Sequence, residues 1–241
     1  MMPLRHLTLT EDRQRGTQDA IMPDAPETKR RRKGSRHERR IQLMEATIEV
    51  LAEKGYARTT QTEVARKAGL SHGLVSFHFA SKEALLSETL AFLAEEYRQN
   101  WVGALEAALP DAARQLDALL RADFNPEICT KDRLYAWCTF WGEAQSRPFY
   151  QQSCGSNDQE YIEVMEGICA RLCMEQGSPF DPVLVARILR VAVEGVWLDM
   201  ITMTNPYGPE EGLRSVHTCA AAFFPAVFHD RGLISERSVD A

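Results

Sequence analysis

Apolar and polar positions along this chain follow a period near 3.6 almost throughout, the spacing of helices with one buried face. Ile41, Met44, Ile48 and Leu51 mark the first stripe. It starts inside a basic run, where Ser35 and Glu38 have the S-x-x-E form of a capping box, and it stops at Gly55. Thr60-Gln-Thr-Glu63 is a second such box, opening a short helix that carries Val64 and Ala65 and closes near Ala68–Gly69. Ser71 caps a third helix, His72 to about His78. Ser81 caps a long fourth one, to about Ala107, with a stripe of Leu86, Leu90, Leu93, Tyr97, Trp101 and Leu105. Further helical segments lie at about 111–124, 131–145, 148–176, 181–204 and 209–229. Gly208-Pro209-Glu210-Glu211 is the clearest start among them, with Pro at the first helical position and acids at the positive end of the helix dipole. No β-alternation of useful length appears. The pattern predicts an all-α chain of nine helices and no sheet.

Charge divides this helical chain into two parts. Lys29 to Lys82 carries 13 Lys or Arg against 5 Glu, whereas Glu83 to Ala241 carries 12 against 24 acids, within a net charge of −6. A basic first part on an acidic body suits a polyanion partner for the first part alone; the plainer alternative is a solvated charged arm. The 241 residues, 44% hydrophobic, suffice for one large domain or two small ones. No run of eighteen apolar residues suggests a membrane span, and the opening residues lack a secretory h-region, so the expected location is cytoplasmic. The six cysteines show no zinc-ligand spacing, and neither a metal nor a cofactor is expected. Cys169 and Cys173, four apart, read as buried thiols, with redox or metal chemistry as the alternative.

The short second and third helices, joined by a glycine turn, have the helix-turn-helix outline. Val64, Ala65, Leu70, Val75 and Phe79 form its expected interior. Ser71, His72, Gly73, Ser76, Phe77 and His78 are left for the first turns or exposed face of the second helix, the one that enters the major groove. Ser71 suits a phosphate, His72 and Ser76 suit base edges, Gly73 allows close backbone approach, and Phe77 can press on a thymine methyl. Lys82 is placed for a backbone phosphate, Thr60 and Thr62 for the opposite strand's backbone or a base, and the arm Lys29, Arg30, Arg31, Arg32, Lys33 and Arg36 adds charge. A helix-turn-helix also occurs in proteins that bind no DNA, and His78 alone reads equally as a packing histidine.

Thr59 to Leu86, "TTQTEVARKAGLSHGLVSFHFASKEALL", resembles the DNA-binding signature of the TetR family of bacterial repressors. Leu70 replaces its usual Val, and Ser76 stands where Tyr is frequent. The resemblance implies an all-α homodimer whose first three helices bind DNA and whose later helices hold an inducer. It implies DNA contacts at Thr60, Thr62, Ser71, His72, Gly73, Ser76, Phe77, His78 and Lys82. "YAWCTFWGEAQSRPFY" from Tyr135 and "VEGVWLDM" from Val193 are similar to segments of the BetI-type, choline-responsive repressors, with Glu194 where those usually carry Asp. The organisation expected is a disordered basic arm (1–34), a helix-turn-helix domain (35–81), a ligand-binding and dimerisation domain (82–231) and a flexible tail (232–241).

Trp137, Phe140, Trp141 and Trp197 concentrate large aromatics in two short segments, and Trp137 and Trp141 share a helix face. Two such faces can box a quaternary ammonium, with Glu194 as its counter-ion. The alternative is an ordinary aromatic core, with Glu194 paired to Arg190 at i−4. The last two helices look apolar on more than one face, which suits a twofold interface with a second copy. It would set two recognition helices about one DNA turn, roughly 34–36 Å, apart on a pseudo-palindromic operator. The fourth helix, as the only element expected to join the two parts, would carry the ligand's effect. The function expected is ligand-responsive repression of transcription. The remaining readings are response to another apolar ligand or to cysteine oxidation, and an enzyme using the aromatic pocket, for which no nucleophile–base pair is visible.

Overall fold

The structure, a computed structural model, describes residues 35–108, 110–142 and 147–234, without the side chains of 147–149, 152 and 153. Nine helices follow one another in these residues: α1 (Arg36–Arg58), α2 (Gln61–Ala68), α3 (His72–His78), α4 (Lys82–Ala107), α5 (Ala112–Asp123), α6 (Lys131–Gly142), α7 (Arg147–Gln176), α8 (Pro182–Thr202) and α9 (Pro209–Phe223). Local chemistry starts the first four. Ser35 and Glu38 close a full capping box ahead of α1, and Thr60, Ser71 and Ser81 each accept a hydrogen bond from the backbone N–H three residues on. The second box is only half formed. Glu63 turns its carboxylate to Lys54 and Arg66, whose charged donors win over a backbone N–H.

Gly55 interrupts α1 at φ 73°, and one further turn runs to Arg58. Gly69 ends α2 in the left-handed region, φ 65° and ψ 32°, where a Cβ is unfavourable; that conformation turns the chain into α3. Leu43, Ala46 and Val50 of α1 then pack with Val64, Ala65, Val75, Phe79 and Leu85 as one small core. The other side of α1 faces a different cluster. Ile48 and Leu51 meet Leu86, Leu90 and Leu93 of α4, Ala136, Trp137 and Phe140 of α6, and Cys154 of α7. The largest cluster fills the space between α4, α5, α7, α8 and α9.

Helix α6 therefore lies along α1, and α4 is not the sole connection between the first three helices and the rest. Arg133 of α6 reinforces the contact, with Nε 2.7 Å from Glu96 of α4 and Nη2 3.0 Å from Glu45 of α1. The periodicity of each helix cannot reveal this, because it shows that a face is buried and not against what.

Helix α9 ends at Phe223, not near 229, and a strand pair follows. Pro225 keeps Phe224 out of the helical region, at φ −129° and ψ 61°. Strands β1 (Phe228–His229) and β2 (Gly232–Leu233) pair antiparallel, and Phe228 is buried in the main cluster. Gly232, at φ 114°, lies so near α5 that a Cβ there would collide with the Arg121 guanidinium and the Asp117 carboxylate. Residues 232–234 are thus part of the fold rather than of a tail.

Candidate DNA-reading surface and ligand pocket

On the α2–α3 unit, Thr60, Thr62, Ser71, His72, Gly73, Ser76 and Phe77 are exposed together, and Phe77 is 68% exposed. Arg36, also exposed, holds its guanidinium 5.7 Å from the Phe77 ring centroid. Lys29 to Lys33 lie outside the described residues. Lys82 is already engaged, its Nζ donating to Tyr56 O at 2.8 Å and to Ala57 O at 3.3 Å, at the end of α1. One N–H and the charge remain for a phosphate. His78 corrects the sequence reading of an exposed face, because its side chain is only 8% exposed, between Phe77 and Phe79. Desolvation, then the charges of Arg40 and Arg36, holds its pKa below the usual imidazole value. It is a neutral packing residue, and Arg40 fixes its backbone carbonyl at 2.8 Å.

The second part of the chain holds a cavity of about 150 Å³ between α4, α6, α7 and α8. Six rings line it: Tyr97, Trp137, Trp141, Tyr150, Tyr161 and Trp197. Tyr97 is their hub, 6.4 Å from Trp137, 5.9 Å from Tyr161 and 5.9 Å from Trp197 between ring centroids. Three of the lining side chains are charged types, Asp158, Arg190 and Glu194. Arg190 Nη1 lies 2.5 Å from Glu194 Oε1, so the predicted counter-ion already has an i−4 partner. Asp158 accepts from the Tyr150 hydroxyl at 3.0 Å; burial chiefly raises its pKa, the Tyr150 bond lowers it, and the charge of Glu194 raises it further.

Trp137, Trp141, Glu194 and Trp197 meet at this cavity as the sequence suggested. Phe140 does not. It is fully buried on the α1 side of α6, edge-on to Tyr56 at 6.5 Å. Tyr97, Tyr150, Asp158 and Tyr161 were missed. Tyr97 lay on the fourth-helix stripe, whose spacing gave burial but no partner; Tyr150 closes the segment similar to BetI-type repressors without being singled out there, and Asp158 and Tyr161 had no sequence signal beyond residue type.

A wider groove of about 620 Å³ runs beside α9 and the hairpin, lined by Arg121, Arg214, Arg231, Glu210, Glu211 and Asp230 among others. Of its charged side chains, Arg214 pairs with Asp230 at 2.7 Å and Arg121 with Asp117 beside the groove. Among the described residues no His, Cys, Asp and Glu cluster suits a metal. Cys169 is fully buried, and burial pushes its thiol pKa up to about 12, opposite to a peroxide-reactive thiolate.

Comparison with known proteins meets this geometry at both ends of the chain. Residues 43–89 match the model for bacterial regulatory proteins of the TetR family, and residues 112–225 match the C-terminal domain of BetI-type transcriptional repressors. A BetI regulator of Klebsiella pneumoniae is 32% identical over 168 residues, 67% of this chain and 86% of its own length. The chain belongs to the TetR family, with a BetI-type C-terminal domain. This TetR-family protein is a DNA-binding transcriptional regulator and not an enzyme.

The BetI regulator of Paraburkholderia xenovorans is 26% identical over 76% of this regulator and 92% of its own length. Among solved structures, a transcriptional regulator of Pseudomonas aeruginosa PAO1 is 25% identical with a TM-score of 0.67, over 80% of this chain and 93% of that one. A regulator of Saccharomonospora viridis, solved in complex with choline, has the same fold at 20% identity and a TM-score of 0.64, over 75% of this chain and 94% of that one. The first family match spans α1 from Leu43 to Thr89 within α4, and the second spans α5 to α9. No described helix of the regulator is long and apolar enough to cross a membrane.

Proposed function

We propose that this regulator is a homodimeric repressor of a pseudo-palindromic operator, relieved by a small quaternary ammonium compound of the choline type. The observation that carries the ligand class is the cavity of six aromatic rings with Asp158 and Glu194 at its wall. Aromatic faces attract a cation that has no N–H to donate, by about 0.5–2 kcal/mol for each good contact. A volume of about 150 Å³ suits a few heavy atoms and is well below the roughly 300 Å³ of pockets for drug-sized ligands. The choline complex of the S. viridis regulator, a protein of the same fold, supports this reading.

On DNA, α3 enters the major groove. Ser71, His72, Gly73, Ser76 and Phe77 face the bases and sugar wall, Thr60, Thr62 and Lys82 meet the backbone, and the arm from Lys29 to Arg36 adds charge. The ligand acts only through its preference for the conformation that does not fit the operator. Calorimetry with choline on the wild type and on Trp141→Ala tests the pocket. Heat in the wild type and a loss of roughly tenfold or more in the variant is expected; no heat in the wild type rejects the cation. Neutral ligands are the second reading, favoured by the Arg190–Glu194 pair, which leaves Glu194 less charge to offer. Equal affinity for choline and its uncharged carbon isostere, 3,3-dimethyl-1-butanol, would select that reading. Sequencing DNA fragments that the protein retains, with and without choline, yields the operator and the direction of the response.

A further inference from the structure

Three rings of the pocket wall send their only polar hydrogen to one residue behind it. The Tyr97 hydroxyl donates to Asp123 Oδ1 at 2.7 Å, and the Tyr161 hydroxyl donates to Asp123 Oδ2 at 2.9 Å. The Trp197 indole N–H donates to the Asp123 backbone carbonyl at 3.1 Å. Asp123 is the last residue of α5, and none of its surface is exposed. No described cation pairs with it. The groups that bear on it are Tyr97 from α4, Tyr161 from α7, Glu194 from α8 and Cys129 beyond α5. On the α9 side, His217 Nε2 lies 2.9 Å from Asp117, though off the hydrogen-bond direction, and Arg121 also pairs with Asp117 rather than Asp123.

A carboxylate buried without a cation is costly, and packing alone would be served by an amide or an apolar side chain. What the carboxylate adds is charge. A phenol that donates to an anion gains electron density over its ring, and in a medium of low dielectric this effect is little screened. Both phenols here face the cavity. We propose that Asp123 is the counter-ion of the bound cation, acting through the Tyr97 and Tyr161 rings, so that the pocket selects a fixed positive charge over a neutral molecule of the same shape. Asp123 is thus a positioning and polarising residue and does not touch the ligand. This rests on the reading of the cavity as a cation site.

Burial pushes the Asp123 carboxyl up to about 7, so at neutral pH it is partly protonated before ligand arrives. A cation beyond the rings favours the ionised form, and the proton leaves to solvent. The Asp123 carboxyl loses it, a buffer base takes it up, and no covalent bond changes elsewhere.

The test is calorimetry at about pH 8 with choline and with 3,3-dimethyl-1-butanol, on the wild type, Asp123→Asn and Tyr161→Phe. Asparagine keeps the shape and a hydrogen-bond acceptor but carries no charge. The expected result is a loss of roughly tenfold or more for choline in Asp123→Asn, at most about twofold for the isostere, with Tyr161→Phe in between. Titrations near pH 7 in two buffers of different ionisation enthalpy should show proton release on choline binding in the wild type and none in Asp123→Asn. Equal losses for both ligands, or unchanged choline affinity, overturn the role of Asp123 while leaving the cation site standing. No choline binding in the wild type overturns the cation site and this proposal with it. If circular dichroism shows that Asp123→Asn does not fold, Tyr161→Phe carries the same comparison.

Discussion

Single residues set the terms on which this regulator meets DNA and pH. Phe77 is largely solvent-exposed on a seven-residue helix, and Lys82 hangs on the last carbonyls of α1 with one donor to spare. Lys82→Ala should weaken operator binding and lower the slope of log K against log salt by about 1, which fluorescence anisotropy across salt concentrations measures. Ser76→Ala should instead change which operator bases are preferred and leave that slope in place. Asp123 brings a pH dependence to folding. Its pKa rises from 3.8 to about 7, first through burial and then through the charge of Glu194, against the lowering by the two tyrosine bonds. Between those values the folded chain keeps a proton that the unfolded chain has released, so this residue's contribution to stability falls as pH rises through the window and is level above it. Asp123→Asn has no such slope. Thermal melts should show its advantage over the wild type growing from about pH 4 to about pH 7, by at most roughly 1.4 kcal/mol per unit. A constant difference would remove Asp123 as the source.

Among elements, α6 joins the two parts of the chain, packing on α1, α4, α7 and α8. Arg133 joins it to α1 and α4, Trp137 one turn on lines the cavity, and Phe140 lies edge-on to Tyr56 of α1. A ligand against Trp137 therefore bears on α1 directly as well as on α4 through Tyr97. On the proposed choline response, Arg133→Met should keep choline affinity within about twofold and reduce the accompanying loss of operator affinity, since the reciprocal coupling is what it cuts. Choline titrations at fixed operator, read by anisotropy, give both quantities. The sequence showed part of this. The caps at Ser35, Thr60, Ser71 and Ser81 are local chemistry and stand where they were expected. The aromatic pair of α6 and Trp197 were visible by spacing, but Phe140 shares that spacing and turns to α1. Tyr150, Asp158 and Tyr161 of α7 reach the cavity only through the rotation of that helix, which its neighbours decide. The hairpin at Phe228–Leu233 has two-residue strands, too short for any alternation to register.

At the scale of the whole molecule, α8 presents an exposed apolar face. Leu184, Ile188, Val191 and Leu198 are 49%, 37%, 51% and 49% exposed along one side of it. They recur at i, i+4, i+7 and i+14, a single face. The outward residues of α9 are Glu210, Glu211, Arg214, Ser215, Thr218 and Ala222, so the apolar surplus that the sequence suggested for both helices belongs to α8. The small and polar side of α9 suits the edge of a twofold contact whose centre is α8. For the proposed dimer, Leu184→Glu combined with Val191→Glu should shift the protein to monomer in analytical ultracentrifugation and lower operator affinity with it. A dimer that survives both changes places the interface elsewhere.

A groove of about 440 Å³ runs over Cys138, Trp141, Glu194, Gly195 and Leu198 to Val191. It shares Trp141 and Glu194 with the cavity and borders the exposed α8 face. In a dimer formed on that face, the twin subunit lies against this groove. Any exchange of ligand by that route then waits on separation of the two copies, a first-order step whose frequency per dimer does not change with abundance.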